Sequence, residues 1–179
     1  MRFISISSKP PAPKIRSPAL GELLERRLEA LDLCVLMVDG VVFAEHTVVT
    51  ALGIDTRGHK HILGIWEGAT ENAVVVKALL EDLVERGLDV SKPMLVVIDG
   101  SKALRSAIDA VYGEENAVQR CRHHKIENVT GHLPKHLKDQ VKLVMKAAYR
   151  LPHKEGLSKL REQAAWLEGQ YPSAAASLR

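Results

Sequence analysis

Two aspartates stand where apolar runs stop, and each is followed by glycine. Asp39 lies in "VLMVDGVVF" (residues 35–43) and Asp99 in "MLVVIDGSKAL" (residues 94–104). In α/β sheets, ligands collect outside the carboxyl ends of strands. A lone carboxylate there has either a turn to make or a ligand to hold. If the two runs are neighbouring strands, both carboxylates converge at one place. Two close acids repel, and burying them without a counter-charge is costly. A divalent cation removes both difficulties. Mg²⁺ takes hard oxygen ligands and keeps some of its water. Gly40 and Gly100 leave room beside each acid for that water or for a phosphate. The plainer use of Asp-Gly is a strand-end turn. That alternative is weaker for Asp39, which has apolar residues on both sides of its glycine. An aspartate-nucleophile phosphatase site needs a second acid two residues along. Val41 and Ser101 occupy those positions, so that chemistry is excluded.

The elements that must position the pair follow from periodicity. Residues 21–31 read as a short amphipathic helix. Residues 33–43 are apolar and β-branched, as a strand buried on both faces requires. Two more strands, 46–54 and 60–67, flank "DTRG", a turn that favours a hairpin. The period then changes to helical, with Val74, Ala78, Leu80, Leu83 and Val84 on one face. Thr70 is the expected N-cap, Glu71 suits the first turn, and Gly87 is the stop. Strand 94–98 returns parallel after this crossover. Ser101 caps a helix over 102–112 whose face is Leu104, Ala107, Ile108 and Val111, and a short strand follows at 117–119. Helices are expected from Lys135, with Leu137, Val141, Val144 and Ala148 inward, and over 155–169, with Trp166 and Leu167 inward. Trp66, Trp166 and Cys34 are expected in cores. The expected class is α/β: a mixed sheet of three antiparallel strands, then parallel strands with crossover helices, followed by a helical extension.

Charge is unevenly spread. Eleven Lys/Arg face three Asp/Glu between Gln119 and Arg161, and five of the eight histidines lie there. The rest of the chain is net acidic. A basic block on an acidic remainder points to a polyanion such as nucleic acid, or to no more than a solvated helical face. Lys135, Lys138, Lys142 and Lys146 form one stripe, and Arg120, Arg122 and Lys125 precede it. Two cysteines in unlike surroundings fit a reducing compartment. The basic, proline-bearing first twenty residues lack the apolar centre of a secretory signal and read as a mobile tail. No run approaches the ~18 apolar residues of a membrane span.

Taken together, "VLMVDGVVF", "GIWEGATENAVVVKALLEDLVERGL", "MLVVIDGSKAL" and "QRCRHHKIENV" resemble the catalytic region of Mutator-type bacterial insertion-sequence transposases, in the family's order and spacing. The resemblance runs from about residue 31 to at least residue 151. It implies a ribonuclease H-like core whose triad is two aspartates and a glutamate, matched here by Asp39 and Asp99. It implies a two-metal Mg²⁺ or Mn²⁺ site, DNA strand cleavage and strand transfer, transposon ends and target DNA as partners, a homo-oligomer in the intact enzyme, and a cytoplasmic, nucleoid-associated setting. Cys121 to His124 matches the family's Cys-x-x-His motif, giving Cys121 and His124 a supporting role. As a zinc site this segment holds only half of the usual ligands. The family's glutamate falls beyond the second aspartate by more than this chain extends. Glu127, Glu155, Glu162 and Glu168 are poor matches to it. The expectation is therefore a piece of a transposase: a tail over 1–20, a partial core over 21–130, the start of a helical insertion over 131–179, and little or no catalysis by the chain alone. A non-catalytic DNA-binding or transposase-interacting remnant is the alternative.

Overall fold

A computed structural model describes residues 17–69 and 72–179. They form two compact units, one of the described residues up to 119 and one of 120–179. The sequence reading divides the chain after 130 instead.

The first unit is built on a five-stranded sheet whose strands lie in the order β3 (Lys60–Glu67), β2 (His46–Asp55), β1 (Leu33–Phe43), β4 (Leu95–Ile98) and β5 (Ala117–Arg120). Helix α1 (Pro18–Glu25) leads into β1 (Leu33–Phe43), β2 (His46–Asp55) and β3 (Lys60–Glu67). These three strands form an antiparallel meander. Helix α2 (Ala73–Glu85) crosses over, and β4 (Leu95–Ile98) pairs parallel with β1. Helix α3 (Lys102–Tyr112) and β5 (Ala117–Arg120) follow. This is a mixed α/β architecture, compatible with the ribonuclease H-like arrangement anticipated above.

Alternation explains the meander. Along β2, Val49, Ala51, Gly53 and Asp55 are buried at every second position, as a half-buried strand requires. The core joins Leu36, Val38, Val96 and Ile98 of the strands to Leu79, Leu80 and Leu83 of α2 and Leu104 and Ile108 of α3. Ser101 caps α3 as expected, and Gly113 ends it at φ 85°. Gly87 follows α2 at φ 95°. Thr70 and Glu71, the expected start of α2, lie outside the described residues. Asn72 is the observed N-cap, its side chain accepting from the amides of Val74 and Val75.

Two buried polar groups tie the sheet to its surroundings. The Arg86 guanidinium, 7% exposed, bonds Asp82 Oδ2 at 2.9 Å and the carbonyls of Leu23, Arg26 and Leu63. The β2–β3 register shifts at Ala51/Leu52, opposite Gly64 and Ile62, so Leu63 is the extra residue of a bulge. Its carbonyl is satisfied by the Arg86 side chain. Asp55, 3% exposed, closes the β2–β3 hairpin. Its carboxylate accepts from the amides of Arg57 (2.9 Å) and His59 (2.8 Å) and contacts His61 Nε2 at 3.1 Å.

The second unit is helical: α4 (Arg122–Gly131), α5 (Lys135–Ala148), α6 (His153–Glu168) and α7 (Pro172–Leu178). Ile126, Val129, Val141, Met145, Ala164, Leu167, Ala174 and Ala175 make its core. A Cβ on Gly156 would sit 2.5 Å from the Ala148 carbonyl oxygen, so the absent side chain lets α6 begin against the end of α5.

Several expectations need correction. The helix predicted over 21–31 is α1, shorter and earlier. Pro18 suits a first helical turn, and the backbone turns extended at Arg26, where ψ is 130°. The tail expected over 1–20 lies outside the described residues through 16, and 18–20 open α1. In α2, Val74 is 59% exposed and Val84 36%, while Val76 and Leu79 are buried. In α5, Met145 takes the inward place expected of Val144. Trp166 is 57% exposed, one position round α6 from fully buried Leu167. Cys34 is exposed, with its Sγ 3.5 Å from the Ile54 and Asp55 carbonyl oxygens. Period alone identifies a stripe; the partner elements choose which edge of it is covered.

The hydrogen bond from His61, ahead of the backbone amides, holds the Asp55 carboxyl well below the usual carboxylate range, against the opposing effect of burial. A depressed folded-state pKa contributes stability that is complete above the ordinary value of about 4 and is lost as pH falls below it. Thermal melting between pH 2 and 6 will show wild type losing stability through this acid range. Asp55→Asn will start lower at pH 6 and slope less.

Candidate active site on the β1–β4 strand ends

Parallel pairing sets Val35 beside Leu95, Leu36 beside Val96, Met37 beside Val97 and Val38 beside Ile98. Asp39 and Asp99 are the next residues of the two chains. They therefore lie at neighbouring positions where the parallel pairing ends. Both are half-buried. Val38 and Ile98 are 1% and 4% exposed and belong to the core. Asp39, by the alternation of β1, takes the other face.

The two acids are held differently. Asp39 sits within a strand that runs on to Phe43 and pairs with Thr50 of β2. The Thr50 hydroxyl donates to the Asp39 backbone carbonyl at 3.2 Å. Asp99 sits in a turn, where its Oδ1 accepts from the Ser101 amide at 2.7 Å. The chain passes through Gly100 at φ 103°, a backbone conformation open mainly to glycine. Ser101 Oγ then accepts from the Leu104 amide at 3.4 Å and caps α3. The Ser101 amide contact escaped the sequence reading, which gave Ser101 only its capping role. The Asp-x-Ser spacing was a readable signal, because an Asp side chain commonly bonds the amide two residues on.

Hard carboxylate oxygens at adjacent strand ends fit a Mg²⁺ or Mn²⁺ ion. Among the described residues, no group of three or more His, Cys, Asp or Glu side chains is placed to hold a metal. The pair therefore stands as a partial donor set. The same observation leaves Cys121 and His124 without a metal cluster. Cys121 is the N-cap residue of α4 without a side-chain cap bond, and it is half-buried. The rings of His123 and His124 meet edge to face at 5.6 Å.

The basic residues of the helical unit divide by what they already hold. The Arg122 guanidinium donates to the Tyr149 carbonyl at 3.1 Å and lies 5.1 Å over the Tyr149 ring. Lys125 donates to the Ser177 carbonyl, and burial, with Arg120 nearby, lowers its pKa. Lys142 pairs with Glu127 at 3.3 Å. Lys135 and Lys146 are exposed and Lys138 is half-exposed on α5. The charge excess was legible in sequence; its partial commitment to internal bonds was not. Arg120 carries an interaction within the structure and is not free.

Residues 14–179 match the model of the transposases of the Mutator family. The chain belongs to that family. It is 35% identical, over 72% of its length, to the transposase for insertion sequence element IS1081 of Mycobacterium tuberculosis. It is 31% identical, over 90% of its length, to the transposase for insertion sequence element ISRM3 of Rhizobium meliloti. A probable insertion-element transposase of Corynebacterium diphtheriae is 35% identical over 49% of this chain. These matches cover 30%, 42% and 25% of the respective relatives, so this Mutator-family chain spans less than half of each. No helix among its described residues is long and apolar enough to cross a membrane.

The divided roles of the basic residues are measurable. Arg122→Ala removes both a hydrogen bond and a ring contact, and urea denaturation will show a loss of about 1 kcal/mol. Lys138→Ala will stay within about 0.5 kcal/mol of wild type, as surface changes usually do.

Proposed function

We propose that this chain forms part of the catalytic core of a DNA transposase, with Asp39 and Asp99 as two of its metal-holding acids. The observation that carries the reading is the parallel β1–β4 register, which sets Val38 beside Ile98, so that the two acids are the next residues where the parallel pairing ends. Mg²⁺ or Mn²⁺ ions, when bound, supply Lewis-acid activation of the attacking oxygen and charge stabilisation of the leaving oxygen. The residues of this chain hold carboxylate oxygens in place for that chemistry. The reaction class is metal-dependent DNA strand cleavage and strand transfer, acting on transposon ends and target DNA in the bacterial cytoplasm at the nucleoid, by a homo-oligomer in the intact enzyme. Cys121 and His124 enter in a supporting role through the family resemblance alone.

A second reading is favoured by a specific observation. Asp39 and Asp99 are two acids, and no cluster of three potential ligands forms among the described residues. With two carboxylates, a metal pair is under-liganded and its charge is poorly balanced. On that reading the chain alone does not cleave, and it binds DNA or intact transposase through its basic helices. Lys135, Lys138, Lys142 and Lys146 are the phosphate contacts, with Arg120, Arg122 and Lys125 adding positive field.

Calorimetric titration with Mn²⁺ tests the first reading. Wild type will bind, and Asp39→Ala and Asp99→Ala will each lose binding; retained affinity in both variants would sink the shared site. In a plasmid-nicking assay with Mg²⁺ or Mn²⁺ the chain alone will be inactive, and nicking abolished by Asp99→Ala would overturn that expectation. Duplex DNA binding will weaken linearly with log salt. Lys138→Ala and Lys142→Ala will each reduce the slope by about 0.9, whereas either aspartate variant will leave it unchanged.

A further inference from the structure

The Asp99 carboxylate is held by a main-chain donor at the start of a helix. Asp99 Oδ1 accepts from the Ser101 amide at 2.7 Å, a short, well-formed bond to a carboxylate. Ser101 is itself anchored, because its Oγ caps α3 and α3 is held in the core by Leu104, Ala107 and Ile108. Gly100 at φ 103° makes the turn that brings the amide onto the carboxylate. Asp99 is thus linked through one hydrogen bond and one cap to the packed interior. We infer that Ser101 is a positioning residue: its backbone N–H fixes one oxygen of the Asp99 carboxylate and so sets the direction in which the other is presented to a metal ion. The inference rests on the transposase-core reading above. It goes beyond that reading in assigning the preorganisation of Asp99 to a main-chain donor and the start of α3, not to the metal. Asp39 is held as a residue of a paired strand.

The assignment can be isolated because Ser101 has φ −59°, a value proline adopts. Ser101→Ala removes the helix cap and keeps the N–H. Ser101→Pro removes both. Comparing the two variants isolates the N–H. An ester link between residues 100 and 101, made by semisynthesis, removes the N–H and retains the hydroxyl; it decides the matter if the proline variant fails to fold by circular dichroism. Two readouts are taken: Mn²⁺ affinity by calorimetry, and the Asp99 Hα–Hβ couplings by NMR without metal. Ser101→Ala will melt lower, keep one Asp99 side-chain rotamer, and bind Mn²⁺ within about twofold of wild type. Ser101→Pro and the ester will show averaged Asp99 couplings and bind about tenfold more weakly, the scale typical of lost partners behind a metal ligand. Equal Mn²⁺ affinity in wild type, Ser101→Pro and the ester overturns the inference, as does a single Asp99 rotamer in all of them. Failure of the underlying metal reading looks different: wild type itself binds no Mn²⁺.

Discussion

The parallel contact between β1 and β4 is the constraint on which the first unit depends. A parallel neighbour cannot be reached by a tight turn, so the chain must cross the sheet before β4 can form. Helix α2 supplies that crossing, and its Leu79, Leu80 and Leu83 seal the core beneath the strands. The register is held by burial on one face. Leu36 and Val38 lie opposite Val96 and Ile98, and all four are at most 4% exposed. A slip of one residue would turn an apolar set toward water. The same restriction keeps Asp39 and Asp99 level with one another, so the site geometry follows from core packing two residues deep.

The sheet is also secured at its meander side by polar groups that are buried because they are satisfied. Arg86 reaches from the end of α2 to carbonyls of the α1 segment and to the bulged Leu63, and Asp82 shares its charge. A lone guanidinium in that place would be costly. With an acid and three carbonyls around it, Arg86 locks the bulge and the chain entry together. Asp55 does the equivalent for the hairpin by collecting main-chain amides and a histidine ring. Neither group sits in the candidate site; both fix the β2–β3 pair on whose β2 edge β1 lies.

The helical unit shows why net charge is a poor measure of a binding surface. Its basic excess includes Arg122 and Lys125, whose donors are turned onto carbonyls of the same unit, and Lys142, which faces Glu127. The positive field extends outward regardless, and Lys135 and Lys146 of α5 are among the cations that face solvent.

How much could be read from the chain alone varies from element to element. β1, β3 and α3 matched their predicted bounds, because each has a strong period, turn residues at its ends, or a cap such as Ser101. Helices α4 and α7 had no clear period. Their apolar residues, Ile126 and Val129 in one and Ala174, Ala175 and Leu178 in the other, make sense only against α5 and α6. Met145 took the inward place expected of Val144, and Trp166 faces outward beside buried Leu167, because the helical period admits both edges of a stripe. By itself, the sequence determined the element order, the Asp-Gly strand ends and the family, since local propensity, turn chemistry and motif spacing are properties of short segments. Only the tertiary structure decided that Val38 lies beside Ile98 and that Arg122 and Lys125 serve the fold. Those facts depend on which distant residues share a register or a core, and no local segment carries that information.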